Sequence, residues 1–277
     1  MKNTQPRVLL IHDLSGFGRC SLTVALPILS AMGVECVCVP TASLSAHTAI
    51  DGYTYRDLTA DLPATLAHYQ QLGLRFDAIY SGFLGSTAQI AAVRAFVDAF
   101  RTDGCRFVCD PAMADDGALY PTFDAAFVRE MRALCTVADV ILPNRTESAL
   151  LLGRPYAETF ADEKSARDQL AGLHQLTCAQ VVLTGVERDG QIGAGVQTNT
   201  GAAFHYAPRS GDSFCGSGDV FASVFVGGLL CGKTTAEAAK QAVDFTASAV
   251  AATHKAGGDP RFGLQFEPLL GTINNLQ

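Results

Sequence analysis

The sequence is short of charge. Only 17% of its 277 residues are Asp, Glu, Lys or Arg, and acids outnumber bases 27 to 20, for a formal net charge of −7. Without a basic excess it lacks the electrostatic footprint of a protein that binds nucleic acid or an anionic membrane. No apolar run reaches the roughly 20 residues that a membrane span needs. The polar start, Met1–Arg7, has none of the parts of a secretory signal. There is no internal repeat, low-complexity tract or linker, so one domain over residues 1–277 is expected. The nine cysteines (20, 36, 38, 105, 109, 135, 178, 215 and 231) make no Cys-x-x-Cys pair, and no histidine cluster completes a zinc-site spacing. Their odd count, with no export signal, reads as reduced, mostly buried thiols in a cytoplasmic protein.

Apolar residues and glycine are plentiful. Hydrophobic residues make up 48% of the chain and 26 positions are glycine, which excludes intrinsic disorder. A chain near 300 residues buries about 75% of its unfolded surface. Strand-like apolar runs fall at Val8–Ile11, Cys36–Val39, Ala78–Ser81, Phe107–Cys109, Val140–Leu142 and Val181–Leu183. Helical spacing fills the intervals at Leu22–Met32, Asp57–Leu72, Ala88–Phe100, Thr122–Leu134 and Glu163–Leu176. Such alternation predicts right-handed βαβ units around a mostly parallel sheet covered on both faces. A hairpin is expected over Gln191–Ala207, turning at Asn199-Thr200-Gly201. Two helices follow at about 217–231 and 235–254, then a tail rich in Gly and Pro. Ligands of such sheets bind beyond the carboxyl ends of the strands, which here carry Asp13 and Ser15, Thr41, Gly82 and Phe83, Asp110, Asn144 and Glu147, and Thr184 and Gly185.

Two motifs compete for attention. Gly227–Thr234 spells the G-x4-G-K-T of a phosphate loop, but the preceding residues read as a helix, Gly232 as its cap, and Thr234 with Glu237 as the capping box of the next helix. Gly16–Ser21 half-matches a dinucleotide fingerprint, but Ser21 replaces the third glycine and no acid ends the second strand. The stronger candidate is Gly216-Ser217-Gly218-Asp219, a small-residue turn that opens a helix. Unpaired amides at the positive end of a helix form an anion site. A carboxylate in that first turn suits orientation of a hydroxyl during phosphoryl transfer. The plain alternative is a glycine turn with an acid stabilising the helix dipole.

Gly216–Asp219 with the upstream Asp212 resembles the C-terminal signature of the ribokinase-like superfamily of small-molecule kinases. Ser81–Ser86 (SGFLGS), Cys109–Asp115 (CDPAMAD) and Pro143–Glu147 (PNRTE) resemble its vitamin B6 (pyridoxal/pyridoxine/pyridoxamine) kinase branch. Asp13–Gly18 resembles the substrate-strand ending shared with hydroxymethylpyrimidine kinases. The matches stand in the family's order over residues 8 to about 250.

The resemblance implies a three-layer α/β/α fold with a mostly parallel central sheet and a small β flap. It implies an ATP-dependent enzyme that phosphorylates the 5′-hydroxyl of a B6 vitamer in pyridoxal 5′-phosphate salvage. Gly216, Ser217 and Gly218 would form the anion hole and Asp219 the base. Free aspartate, with a pKa near 4, is too weak to take an alcohol's proton outright, so orienting the oxygen would be its main task. Asp110, Asn144, Glu147, Thr184 and Gly185 would line the nucleotide site, with Asp110 and Glu147 near Mg2+, partly through water. Asn144 and Glu147 also fit a capping box. Asp13, Ser15, Thr41 and Phe83 would meet the vitamin; His47 would contact it or only cap the flap. Cys215 reads as a packed small residue. ATP and Mg2+ are implied, with a monovalent cation such as K+ a further candidate, and a homodimer as the assembly. Ala112 and Ala114 depart from the family's D-P-V-M-G-D; a methyl at 114 would oppose a positive φ there. Hydroxymethylpyrimidine or sugar phosphorylation, an NAD-dependent oxidoreductase and a non-catalytic binding protein are the competing readings.

Overall fold

The computed structural model describes residues 5–160, 162–210 and 213–275. Eleven strands follow one another along the chain: β1 (Arg7–Ser15), β2 (Glu35–Leu44), β3 (Tyr55–Asp57), β4 (Ala78–Ser81), β5 (Arg106–Cys109), β6 (Ala114–Asp115), β7 (Ala118–Leu119), β8 (Val140–Ile141), β9 (Gln180–Arg188), β10 (Gln191–Thr198) and β11 (Gly201–Pro208). The helices are α1 (Leu22–Ala31), α2 (Leu62–Gln71), α3 (Thr87–Phe100), α4 (Ala125–Cys135), α5 (Arg145–Leu152), α6 (Glu163–Thr177), α7 (Ser217–Leu230) and α8 (Thr235–Lys255). Nine strands form one sheet in the order β11-β10-β9-β8-β5-β4-β1-β2-β3, and β6 and β7 pair separately as a small antiparallel sheet. The six strands from β9 to β2 are mutually parallel; the β9–β10–β11 meander and β3 add antiparallel edges.

Strands covered on both faces read as unbroken apolar runs, because successive side chains enter different cores. On β1, Val8 and Leu10 join the core that includes α1, α7 and α8, while Leu9 and Ile11 join the core that includes α3, α4 and α6. The strand order reverses at β1, between β2 and β4, which opens a crevice at its carboxyl end. Asp13 and Ser15 are carried into it by β1, whose register against β2 breaks between His12 and Leu14.

The expected alternation, the hairpin and both late helices are present. One helix is shorter than expected. Instead of a helix from Asp57, residues Tyr55–Asp57 pair with Ala42–Leu44 of β2. The Asp57 carboxylate accepts the Thr59 N–H at 2.7 Å and starts a 3-10 turn, and α2 begins only at Leu62, with Pro63 in its first turn. Likewise α4 starts at Ala125 rather than Thr122, because Asp124 caps it through the Phe127 N–H at 2.9 Å. The phosphate-loop look-alike is dismissed by its setting. Gly227 and Gly228 lie inside α7, against Met32 and Ala238, and Thr234 and Glu237 form the capping box of α8. The departure at Ala114 is harmless: it lies in β6, and the positive φ angles fall on Asp116 (46°) and Gly117 (82°) in the β6–β7 turn.

Helix α7 runs between the sheet, α1 and α8, and Phe225 in its middle has no exposed surface. Phe225→Ala should lower the unfolding free energy by about 3–5 kcal/mol, checked by urea denaturation with the m-value unchanged.

Candidate active site

Two adjoining clefts, of about 380 and 310 Å3, open at the carboxyl ends of the parallel strands. They meet at Asn144, Thr184, Ser217 and Gly218. The first contains twelve of the fourteen site residues expected from sequence: Asp13, Ser15, His47, Phe83, Asp110, Asn144, Glu147, Thr184, Gly216, Ser217, Gly218 and Asp219. Gly185 lies only in the second. Thr41 lines neither cleft: its backbone carbonyl accepts the Gln89 side-chain amide at 3.0 Å and the Leu58 N–H at 3.0 Å, which makes it a fastener of the β2–α2 connection. Asp212 lies outside the described residues.

The Gly216–Asp219 turn is set by backbone geometry. Gly216 caps α7 with φ 70° and ψ 4°. A Cβ there would fall 2.0 Å from the Arg19 carbonyl oxygen, so both the sign of φ and the close approach require glycine. A Cβ on Gly218 would meet nothing within 4 Å, because that side of the turn faces the cleft. First-turn amides of α7 have no carbonyl inside the helix to bond, and they carry the positive end of its dipole toward the junction.

Asp219 belongs to that turn. Although it keeps some contact with the cleft, protein encloses its carboxyl, and desolvation pushes the pKa up to about 7 against the pull of the Ser21 backbone N–H. The ordinary aspartate value assumed from sequence therefore does not hold: burial poises the group near neutrality. Desolvation and the neighbouring charges of Glu147 and Asp219 raise the Asp110 carboxyl well above the usual range. Burial likewise lifts Glu147 to about 8, while N–H donors oppose the rise.

The Asn144–Glu147 box serves two purposes. Asn144 Oδ1 accepts the Glu147 N–H at 2.9 Å and Glu147 Oε2 accepts the Asn144 N–H at 2.8 Å, which starts α5. The remaining groups reach the loop after β5: Glu147 Oε1 accepts the Met113 N–H at 3.0 Å, and the Asn144 amide donates to the Ala114 carbonyl at 2.7 Å. Helix capping and site construction are thus the same set of bonds. Thr184 is tied to α5's start by its N–H on the Pro143 carbonyl at 3.0 Å.

On the other side of the junction, Asp13 is buried and holds two hydroxyl donors, Ser15 at 2.7 Å and Ser21 at 2.5 Å. Phe83 faces Tyr120 and Phe123, with ring centroids 6.4 and 5.7 Å apart, as part of an aromatic wall. His47 both borders the cleft and fastens it: its Nδ1 accepts the Ala49 N–H, which leaves Nε2 to donate to the Arg261 carbonyl. With both nitrogens engaged, it contributes shape more than a free polar contact. Cys215 and Cys20 also line the cleft, and burial raises both thiols, so neither is an activated nucleophile.

Sequence reasoning missed Ser21, Cys20, Tyr120 and Asp115 as lining residues. Ser21 entered it only as a missing glycine. In the structure the Gly16–Ser21 loop is not an open dinucleotide cradle. A Cβ on Gly18 would fall 2.0 Å from the His47 ring, and the Asp219 carboxyl faces the Ser21 amide where a pyrophosphate would sit.

Among the described residues no group of three or more His, Cys, Asp and Glu side chains forms a ready metal cage, and no helix is long and apolar enough to cross a membrane. Asp110 and Glu147, crowded and electrostatically unfavourable beside an amide anion site, fit a cation that arrives with a phosphate and keeps part of its water.

Residues 26–261 match the model of the phosphomethylpyrimidine kinase family. A pyridoxal kinase of Rubrobacter xylanophilus is 28% identical over 255 residues, covering 88% of this chain and 84% of that protein. A pyridoxine/pyridoxal/pyridoxamine kinase of Bordetella bronchiseptica is 27% identical over 264 residues and covers 90% of both chains. Among solved structures, a Bacteroides thetaiotaomicron protein assigned as a phosphomethylpyrimidine kinase is 36% identical, with a TM-score of 0.93 for its crystal form with pyridoxal, covering 98% of this chain and 96% of that one. A pyridoxal kinase from Lactobacillus plantarum is 35% identical, with a TM-score of 0.90, covering 98% and 97%. The layered fold and the kinase resemblance read from the sequence are borne out. With a small-residue turn that opens a helix between two clefts and a family match across most of its length, this chain is a kinase and belongs to the phosphomethylpyrimidine kinase family.

Proposed function

We propose that this chain, as one domain over residues 1–277, transfers the terminal phosphoryl group of ATP to the 5′-hydroxyl of a B6 vitamer: pyridoxal, pyridoxine or pyridoxamine. The observation that carries the reading is the turn Gly216–Asp219 at the junction of the clefts, with an aspartyl group held near neutral pKa beside helix amides. The names of the relatives and the pyridoxal in the Bacteroides crystal form support the choice of vitamin.

In this reading the second cleft takes the nucleotide, with its base against the apolar side chains of Ile192, Val243 and Val250 and its phosphates reaching toward Ser217 and Gly218. The first takes the vitamin, its flat ring beside Phe83 and Tyr120 and its polar edge toward Asp13. Ser15 and Ser21 fix the Asp13 carboxyl, so it presents an oriented charge rather than a mobile one. Amides of Gly216–Gly218 stabilise charge on the transferring group. Asp219 orients the acceptor oxygen and takes its proton as the bond to phosphorus forms. Asp110, Asn144 and Glu147 would hold Mg2+, partly through water; when bound with the nucleotide it supplies neutralisation of the phosphate charge. A cytoplasmic homodimer is the assembly and setting proposed, by resemblance to the B6 kinases.

The family's own description favours a second reading, phosphorylation of a hydroxymethylpyrimidine or its phosphate. The two differ in the ring that the first cleft accepts. ATP consumption measured with Mg2+ and each B6 vitamer, and in parallel with hydroxymethylpyrimidine, should be fastest with a vitamer. Silence with every vitamer in folded protein would sink the first reading, and turnover of the pyrimidine alone would establish the second.

Asp219→Asn should cut kcat by about two to four orders of magnitude with little change in ATP affinity, measured by steady-state kinetics and nucleotide titration. The same substitution bears on stability. The folded-state pKa of Asp219 is raised to about 7, above the roughly 3.9 of an unfolded chain. Its contribution is therefore favourable at low pH and is lost as pH rises through 7. Asp219→Asn should raise the melting temperature at pH 8, and the gain should shrink steadily as the pH falls toward 4, as read by thermal denaturation across that range.

A further inference from the structure

Ser21 occupies a backbone conformation that suits glycine. Its φ of 51° and ψ of −129° lie close to the first central position of a type II′ turn, where side chains are disfavoured. It is the N-cap of α1, and its carbonyl accepts from Val24 and Ala25, yet its hydroxyl makes no capping bond. The hydroxyl turns instead to Asp13 and donates to Oδ1 at 2.5 Å, with both side chains buried. The Ser21 backbone N–H faces the carboxyl of Asp219 and favours its charged form. One residue thus holds the Asp13 carboxyl and faces that of Asp219, and it lines the first cleft itself. The loop that carries it is pressed against the anion turn, with the Arg19 carbonyl where a Cβ on Gly216 would fall. Glycine would satisfy the backbone better, but it would remove a donor from a buried carboxyl.

We propose that Ser21 is a positioning residue for phosphoryl transfer: its side chain fixes the Asp13 carboxyl across the cleft lining it shares with Asp219, so that the acceptor hydroxyl is presented in line with the phosphoryl group. The proposal rests on the kinase reading above. Misalignment by a fraction of an ångström in such a constellation lowers the rate of the chemical step more than it weakens binding of the distant nucleotide. The strained backbone is retained because the hydroxyl, which glycine cannot supply, is needed at that point.

The test is Ser21→Gly, assayed with ATP and the vitamer on which the parent chain is most active. The expected result is a melting temperature equal to or above that of the parent, KM for ATP within about twofold, and kcat lower by about tenfold or more. A purely structural role gives the opposite pattern, a lower melting temperature with kcat within twofold of the parent, and that result overturns the proposal. Unchanged kcat with unchanged melting overturns it as well. Should Ser21→Gly not fold, Ser21→Ala is judged on the same kcat criterion below its melting temperature. Asp219→Asn is the companion control: normal turnover in that variant would defeat the kinase reading itself, whereas an inactive Asp219→Asn beside a normal Ser21→Gly defeats only the role given to Ser21.

Discussion

At Gly216 the turn that opens α7 meets the carbonyl of Arg19 so closely that a single methyl group would overlap it. This contact joins the loop after the first strand to the loop before the seventh helix, segments about 200 residues apart in sequence. Asp13, Ser21, Asp219 and the cleft between them depend on that closeness. It holds because α1 and α7 pack together in one core through Leu22, Ile28, Phe221 and Phe225, which leaves the two loops no freedom to separate. A crowded hydrophobic layer therefore sets the spacing of the polar groups above it.

Electrostatics is the second constraint. Asp110, Glu147 and Asp219 share a small volume, and burial raises all three. Without positive charge such a group is unfavourable, and the protein moderates the strain by raising the carboxyl pKa values and by N–H donors from Asn144, Met113 and Ser21. A site of this kind is complementary to a metal–phosphate complex, since that ligand brings the cation the carboxylates lack. The arrangement gives up stability for a preorganised field at the junction of the clefts.

Much of this was legible in the chain itself. The parallel sheet followed from apolar runs at regular spacing, because a strand buried on both faces has no polar side to show. The hairpin and the capping boxes at Asn144 and Thr234 followed from local hydrogen-bonding chemistry that distant residues do not alter. Glycines and acids past strand ends marked the site, since that is where amides and dipoles of such a fold converge. Where local rules failed, a long-range partner intervened. Tyr55–Asp57 became a strand because β2 offered an edge. The Thr41 carbonyl is taken up by Gln89 and Leu58, distant in sequence, and the residue lines neither cleft.

Pattern and composition by themselves determined the layered fold, the elements that build it and the residue types of the Gly216–Asp219 turn, because each rests on spacing over a few residues. Tertiary structure alone decided three things: that burial pushes Asp219 up to about 7, that the Asn144–Glu147 cap also builds the cleft wall, and that the Ser21 hydroxyl holds Asp13 instead of capping α1. Each is a matter of desolvation or of contact across distant segments. A linear sequence carries no measure of how deeply a group is buried, or of which distant carbonyl will press against it.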